Sequence, residues 1–292
     1  MQATSVKTTP QTSSSSYRVK HLISRVTLYA MLIGFSILFL VPFLWLLSTS
    51  FKQESQAFAW PPTWIPNPFW PQNYVQMFEL VPMTTYLINT VKIVALNATG
   101  AVLTASLVGY GFARLRAPGL NVLFAICLAT LMLPHYITVI PLFMLYSRFG
   151  WVDTHIPLWI TAWFGGGAWN IFLFRQFFSA IPRELEEAAM MDGASRFGCF
   201  WRIVLPNAKA PMAVVAVFAI QWNWTDIFHP VIFLNSRENF TLALGLTNLL
   251  GSRVTYVGPL MAASVLMTLP MVLMYFFAQR YITEGIVTSG IK

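Results

Sequence analysis

Residues 182–206 read PRELEEAAMMDGASRFGCFWRIVLP. They lie within a polar island, about Arg175 to Lys209, flanked on both sides by long charge-poor blocks. Four of the chain's ten acids are here: Glu184, Glu186, Glu187 and Asp192. Pro182 suits the opening of a helix, and Glu184, Glu186 and Glu187 then favour the positive end of its dipole. Gly193 permits a turn that a residue with a Cβ would strain. A second short helix follows, with Phe197, Phe200, Trp201 and Val204 as its apolar face. Pro206 is expected to break the pattern before the next apolar block. The stretch predicts a helix–turn–helix hairpin at a membrane face.

The flanking blocks decide what the hairpin is attached to. Of 292 residues, 57% are hydrophobic and 10% charged, with a mean hydropathy of +0.62. A soluble domain carries about a quarter charged residues, so a water-soluble globule, a disordered chain and a collagen-like fibre are excluded. Six blocks can each supply the ~20 residues that cross ~30 Å of hydrocarbon. They run from Val26 to Phe51, Tyr86 to Phe112, Leu120 to Pro141, Ile156 to Phe174, Ala210 to Ile232 and Pro259 to Ala278. Strict alternation over ten-residue segments is missing, which disfavours a β-barrel. The expected fold is all-α: a polytopic membrane bundle of six transmembrane helices with a cytoplasmic hairpin. Residues 1–25 form a polar tail and 26–292 the membrane domain. The first block is too long for a signal-peptide core and is read as uncleaved.

Lysine and arginine set the orientation. With the amino terminus in the cytoplasm, thirteen fall inside: Lys7, Arg18, Lys20, Arg25, Arg114, Arg116, Arg175, Arg183, Arg196, Arg202, Lys209, Arg280 and Lys292. Only Lys52, Arg148, Arg237 and Arg253 fall outside, with Lys92 left within a span. Both termini are therefore expected in the cytoplasm. The net charge of +8 speaks to topology rather than to nucleic acid. The outside loop from Lys52 to Thr85 carries Trp60, Trp64 and Trp70 among prolines. It reads either as an interfacial aromatic belt or as a contact surface for an extracytoplasmic partner. Cys127 and Cys199 fall at different depths and are expected as free thiols packed like small hydrophobes.

The polar island carries a resemblance. Glu187-Ala188-Ala189, three residues, Gly193, nine residues, then Ile203, Leu205 and Pro206 match the cytoplasmic signature of ABC-importer permease subunits. Ile181 to Glu186 before it, and Asp192 to Ser195 within it, are similar to the carbohydrate-uptake branch. The carboxyl end, Gln279-Arg280-Tyr281 with Gly285 and Gly290-Ile291-Lys292, resembles the maltose-type second permease. The resemblance implies that the hairpin couples to an ATPase subunit, with Glu187, Ala188, Ala189, Asp192, Gly193, Ile203, Leu205 and Pro206 forming the coupling element. Glu187 would pair with a basic residue of the ATPase, and the small Ala188 and Ala189 would keep that contact close. It further implies a second homologous permease in a heterodimer, a dimer of ATPase subunits and an extracytoplasmic solute-binding protein. ATP and Mg would sit on the ATPase, and this chain would hold no cofactor. The chain itself has no phosphate-cradling Gly-x-x-x-x-Gly-Lys-Ser/Thr loop.

Polar residues inside spans are functional candidates, because a central charge costs at least ~2.5–3.5 kcal/mol on insertion scales. Lys92 either snorkels outward or lines a path. With His135 and Asp226 it forms a possible outer layer, and a Lys92–Asp226 ion pair is one expectation. Trp222, Asn223, Trp224, Thr225, Asp226 and His229 form the densest polar-aromatic cluster, suited to a sugar path or to polar glue between helices. Trp224-Thr225-Asp226 departs from the family's Trp-Asn-acid pattern at Thr225. Asn97 carries the same two readings. Gly165, Gly166, Gly167 and Ala168 point to close helix packing, with a hinge as the second reading. No metal-ligand spacing or nucleophile–base arrangement stands out. The expected function is half of the translocation path of an ATP-driven importer for a sugar or oligosaccharide. The alternatives are amino-acid, peptide or polyamine cargo and, from other classes, a polytopic membrane enzyme or an ion-driven secondary transporter.

Overall fold

The computed structural model describes residues 14–250 and 256–290, with side chains for 20–134, 136–250 and 256–279. Lys7, Arg253, Ile291 and Lys292 lie outside the described residues, as do the side chains of Arg18, Arg280, Tyr281 and His135. All regular structure described is helical. In chain order the α-helices are α1 (Ser14–Thr49), α2 (Glu54–Ala57), α3 (Asn73–Leu80), α4 (Met83–Arg114), α5 (Leu120–Ala129), α6 (Val139–Arg148), α7 (Ile156–Trp159) and α8 (Ala168–Ala180). Then come α9 (Glu184–Met191), α10 (Arg196–Cys199), α11 (Leu205–Asn207), α12 (Lys209–Thr225), α13 (Phe228–Phe233), α14 (Leu242–Leu250) and α15 (Val257–Gly290).

Three stretches, Lys20–Thr49, Met83–Arg114 and Val257–Gln279, are unbroken helices long and apolar enough to cross a membrane. The first begins in α1 at Ser14, inside the segment expected to be a tail. The other expected spans are interrupted, and each interruption has a residue-level cause. The third bends by 93° between Leu120–Met132 and Tyr136–Arg148. Pro134 lacks an N–H and pushes Leu133 into an extended conformation, φ −80° and ψ 125°. The fourth is cut by Gly165, Gly166 and Gly167, all at positive φ (96°, 67° and 93°). Gly166 serves the close approach as well: a Cβ there would meet the Ala101 carbonyl oxygen at 2.6 Å and the Ala105 Cβ at 2.8 Å. The fifth ends at Thr225. Asp226 is extended, and its carboxylate accepts the His229 backbone N–H at 3.3 Å, which helps start α13.

The α4 helix is the centre of the bundle, packed against α8, α12, α14 and the 156–163 segment. One core cluster gathers Ala101, Ala105 and Tyr110 of α4 with Phe174, Phe178, Phe200 and Val204. A second joins Met77, Tyr86, Trp224, Leu242 and Leu260. A third joins Ile93, Tyr146, Leu158, Phe233 and Leu234. By contrast, α1 is exposed at every residue from Lys20 to Pro42. Only its end is tied down. The Lys52 ammonium lies over the Trp45 ring, 3.7 Å from its centroid. The Asn73 amide donates to the Ser50 and Lys52 carbonyls at 2.9 and 2.8 Å.

Opposite the 182–206 end, two loops are clasped by Asp153. Its carboxylate accepts the backbone N–H groups of Asn235 and Ser236, each at 2.8 Å, and the Ser236 hydroxyl at 2.5 Å. These donors hold the Asp153 carboxyl well below the usual carboxylate range. A depressed pKa stabilises the fold above the unfolded value, and that contribution fades as pH falls below it. The melting temperature of Asp153→Asn should therefore lie below wild type at neutral pH, and the gap should narrow below pH 3.8. Gly166→Val should destabilise the detergent-solubilised subunit by about 1–3 kcal/mol or more through overpacking. Gly119→Ala, also at positive φ but facing open space, should cost only the backbone strain of about 1–2 kcal/mol. Thermal melts of the two variants test the difference.

Candidate functional site

The 182–206 hairpin is built by local rules. Arg183 precedes the first turn of α9, which holds Glu184, Glu186 and Glu187. The helix closes at Gly193, φ +90°. There the Ala194 N–H bonds the Ala189 carbonyl at 2.9 Å and the Gly193 N–H bonds the Met190 carbonyl at 3.1 Å, a Schellman termination. The next helix starts at once: the Ser195 hydroxyl accepts the Gly198 N–H at 3.1 Å. The path then passes through a π-helical turn, Phe200–Val204, and on through Pro206. The expected break falls two residues later, at Ala208 (φ −95°, ψ 28°), and α12 leaves at 78°. Proline is tolerated at Pro206 because it sits in the first turn of α11.

Exposure divides the hairpin into two faces. Glu187, Ala188, Asp192, Gly193 and Pro206 are exposed, with Met191 at 89%. Ala189 and Ile203 are half-buried and Leu205 is buried. The expected apolar face is split, with Phe200 and Val204 buried but Phe197 60% and Trp201 44% exposed. The outer face thus presents acids, small residues and two aromatic rings.

The inner face holds an acid that the sequence assigns only to the positive end of the helix dipole. Glu186 is buried. Its carboxylate receives the Arg114 Nε at 2.5 Å and the Tyr110 hydroxyl at 2.7 Å, both from the last turns of α4. The Tyr110 hydroxyl also reaches the Arg196 carbonyl at 3.3 Å, and Arg114 donates to the Ile181 carbonyl at 2.8 Å. The Cys199 thiol lies 3.8 Å from the Glu186 carbonyl oxygen. Removing one partner of such a buried pair costs about 3–5 kcal/mol, because the other charge is left unmatched. The i,i+4 spacing of Tyr110 and Arg114 near the end of a helix was the available sequence signal.

The intramembrane candidates scatter. Trp224 is buried and donates its indole N–H to the Met267 carbonyl at 2.9 Å. Trp222 is 63% exposed. The Asn223 amide bonds back to the Ala219 carbonyl of its own helix at 2.7 Å. Asn97 donates to the Leu158 carbonyl of α7 at 3.2 Å. Asp226 is paired with His229, Nδ1 to Oδ2 at 2.7 Å, rather than with Lys92. Lys92 instead borders a cavity of about 420 Å³ with Leu96, Asp153, His155, Trp159 and Asn239. Burial pulls the His155 imidazole below its ordinary pKa, and Lys92 adds to this against the opposing hydrogen bond to the Asn239 carbonyl. Among the described residues no group of His, Cys, Asp or Glu is arranged to hold a metal. Cys127 and Cys199 are free thiols.

Residues 101–287 match the family described as binding-protein-dependent transport system inner membrane component. The chain is 35% identical over 276 residues to the inner membrane ABC transporter permease protein YcjP of Escherichia coli K12, covering 94% of this chain and 98% of that protein. It is 30% identical to the diacetylchitobiose uptake system permease protein NgcG of Streptomyces coelicolor, covering 90% and 87%. Among solved structures it resembles a bacterial ABC transporter involved in import of the acidic polysaccharide alginate. The TM-score is 0.77 at 22% identity, over 94% of this chain and 100% of that one.

The Asp226–His229 contact should appear as coupling. In a double-mutant cycle on melting temperature, Asp226→Ala and His229→Ala should be non-additive by about 0.5–3 kcal/mol. Asp226→Ala and Lys92→Ala should add to within about 0.5 kcal/mol.

Proposed function

The chain belongs to the binding-protein-dependent transport system inner membrane component family, and from that premise we propose that it is one permease subunit of an ATP-driven importer for a sugar or oligosaccharide. The observation that carries this reading is the hairpin: the Glu187-Ala188-Ala189 to Pro206 signature sits on a self-capped elbow with Glu187, Ala188, Asp192 and Gly193 outward. Sugar cargo rests on relatives such as the diacetylchitobiose permease. The subunit does no ATP chemistry itself. ATP and Mg belong to a separate ATPase dimer that engages the hairpin through Glu187, Ala188, Ala189, Asp192 and Gly193. Ile203, Leu205 and Pro206 set the angle at which the elbow meets the bundle.

The remaining assignments extend the same reading. A second, homologous permease completes the path as a heterodimer, and an extracytoplasmic binding protein delivers the solute. The excess of Lys and Arg at the hairpin side puts both termini and the hairpin in the cytoplasm of a multi-pass inner-membrane protein. The Lys52–Thr85 loop and the Asp153 clasp then face outward. Lys92, with Trp159 and Asn239 around the outer cavity, and Trp222, exposed on α12, are the residues through which this chain touches cargo. Asn97, Asn223, Trp224 and Asp226 hold the helices that shape the path, and His135 lies on the outer side of the bend. A ligand or nucleotide shifts such a bundle only through its differential affinity for the inward-open and outward-open states.

Ala188→Trp tests the docking. The side chain faces solvent, so the subunit alone should keep its helical content and melting temperature, while the ATPase should no longer co-purify with it. Undiminished co-purification would overturn the docking role. Titrating the partner binding protein with mono- and oligosaccharides, amino acids and polyamines tests the cargo. A protein that takes only amino acids or polyamines would overturn the sugar assignment.

A further inference from the structure

Apolar packing of Phe200 and Val204 beside α4 seats the hairpin on the bundle, and two connections add to it. Covalently it continues into α8 through extended Ile181 and into α12 through the bend at Ala208. The Ala208 joint turns by 78° and makes a poor strut. The second attachment is non-covalent and rigid. Glu186, the hairpin acid turned inward, is held by Arg114 at 2.5 Å and Tyr110 at 2.7 Å. The same two α4 side chains reach the hairpin entry at the Ile181 carbonyl and the second helix at the Arg196 carbonyl. The elbow is therefore fastened to one stretch of α4 at Glu186 and at the Ile181 carbonyl, while the Arg196 carbonyl lies beside the hydroxyl whose proton goes to Glu186. The Tyr110 ring is clamped in turn by Phe178 and Phe200, with centroids at 6.2 and 5.2 Å.

The far end of α4 is gripped as well. The Asn89 amide donates to the Glu238 and Phe240 carbonyls at 2.7 and 3.0 Å, and the Thr90 hydroxyl accepts the Leu242 N–H at 2.7 Å. From Asn89 to Tyr110 an unbroken helix spans about 30 Å at 1.5 Å per residue. A rod fastened at both ends transmits displacement, whereas a chain with a sharp bend absorbs it.

We propose that Glu186 is the positioning residue through which the hairpin moves α4, so that motion received at the elbow is delivered along α4 to the 238–242 segment. This rests on the reading of the hairpin as the ATPase contact, and it adds which span is driven and which side chain drives it. Glu187, one position on, faces the ATPase, and Glu186 faces the bundle. Neighbouring acids thus hold the two sides of one joint.

The test uses the complete transporter in proteoliposomes, with Cys127→Ala in the permease and Ile88→Cys as a reporter on exposed α4. Cys199 is buried. The readout is the maleimide labelling rate at position 88 without nucleotide and after trapping with ATP and vanadate. The rate should change on trapping in the parent and lose that change in Glu186→Gln, while the ATPase still co-purifies. The charge-swapped pair Glu186→Arg with Arg114→Glu should restore it. Full retention of the response in Glu186→Gln, or an assembled charge swap that stays silent, would overturn the proposal. If Glu186→Gln fails to assemble, Tyr110→Phe keeps the ion pair and should reduce the response, and an unchanged response would overturn it. A parent whose ATPase docks but whose position 88 never responds would sink this inference alone. A parent that binds no ATPase would sink the docking reading beneath it.

Discussion

Inside hydrocarbon an unpaired carbonyl has no water to turn to, and this constraint organises the bundle around α4. The fourth span is broken at membrane depth, and α4 supplies donors to its carbonyls. Asn97 bonds the Leu158 carbonyl and Thr104 bonds the Ala162 carbonyl at 2.8 Å. In return, the Trp163 indole N–H bonds the Leu96 carbonyl at 3.1 Å. At one end of the helix Asn89 and Thr90 hold the 238–242 segment, and at the other Tyr110 and Arg114 hold the hairpin. Polar side chains scattered along an apolar helix thus form a rack on which irregular segments hang. Irregular backbone is tolerated at this depth because it is buried against protein.

The same constraint explains why the unbroken helices differ so much in burial. α4 is wrapped on most sides, whereas α1 shows apolar residues outward along most of its length. A helix surrounded by lipid needs only its own backbone bonds. α1 satisfies that condition, and Lys52, Asn73 and Trp45 fix where it leaves the bundle. A bilayer, or a second permease under the proposed assembly, covers what this chain leaves bare.

The membrane class, the block boundaries near Met83 and Lys209, and the hairpin with its turn at Gly193 were all legible, because each depends on composition or local chemistry. The Gly193 and Ser195 caps follow from residue type at fixed offsets. The interruptions were harder. Hydropathy averages over Leu133-Pro134 and over Gly165–Gly167, although both carry backbone signals that break helices. Pro206 misled in the opposite sense, since the π-helical turn before it lets the chain continue to Ala208. The Lys92–Asp226 pairing failed because depth along a span does not fix azimuth. Asp226 found a nearer partner three residues on, in His229. Glu186 was hidden for a related reason: beside Glu187 it looks like one more solvated acid, and only the packed direction of α9 separates them.

The elbow's shape is held by contacts within this chain: the Schellman closure and the Ser195 cap at its turn, and Tyr110 and Arg114 of α4 behind it. Its conformation therefore owes nothing to whatever clasps it. A protein closing on a pre-formed knuckle loses little configurational freedom in doing so. Such a joint can be seized and released many times in succession without melting and refolding between strokes.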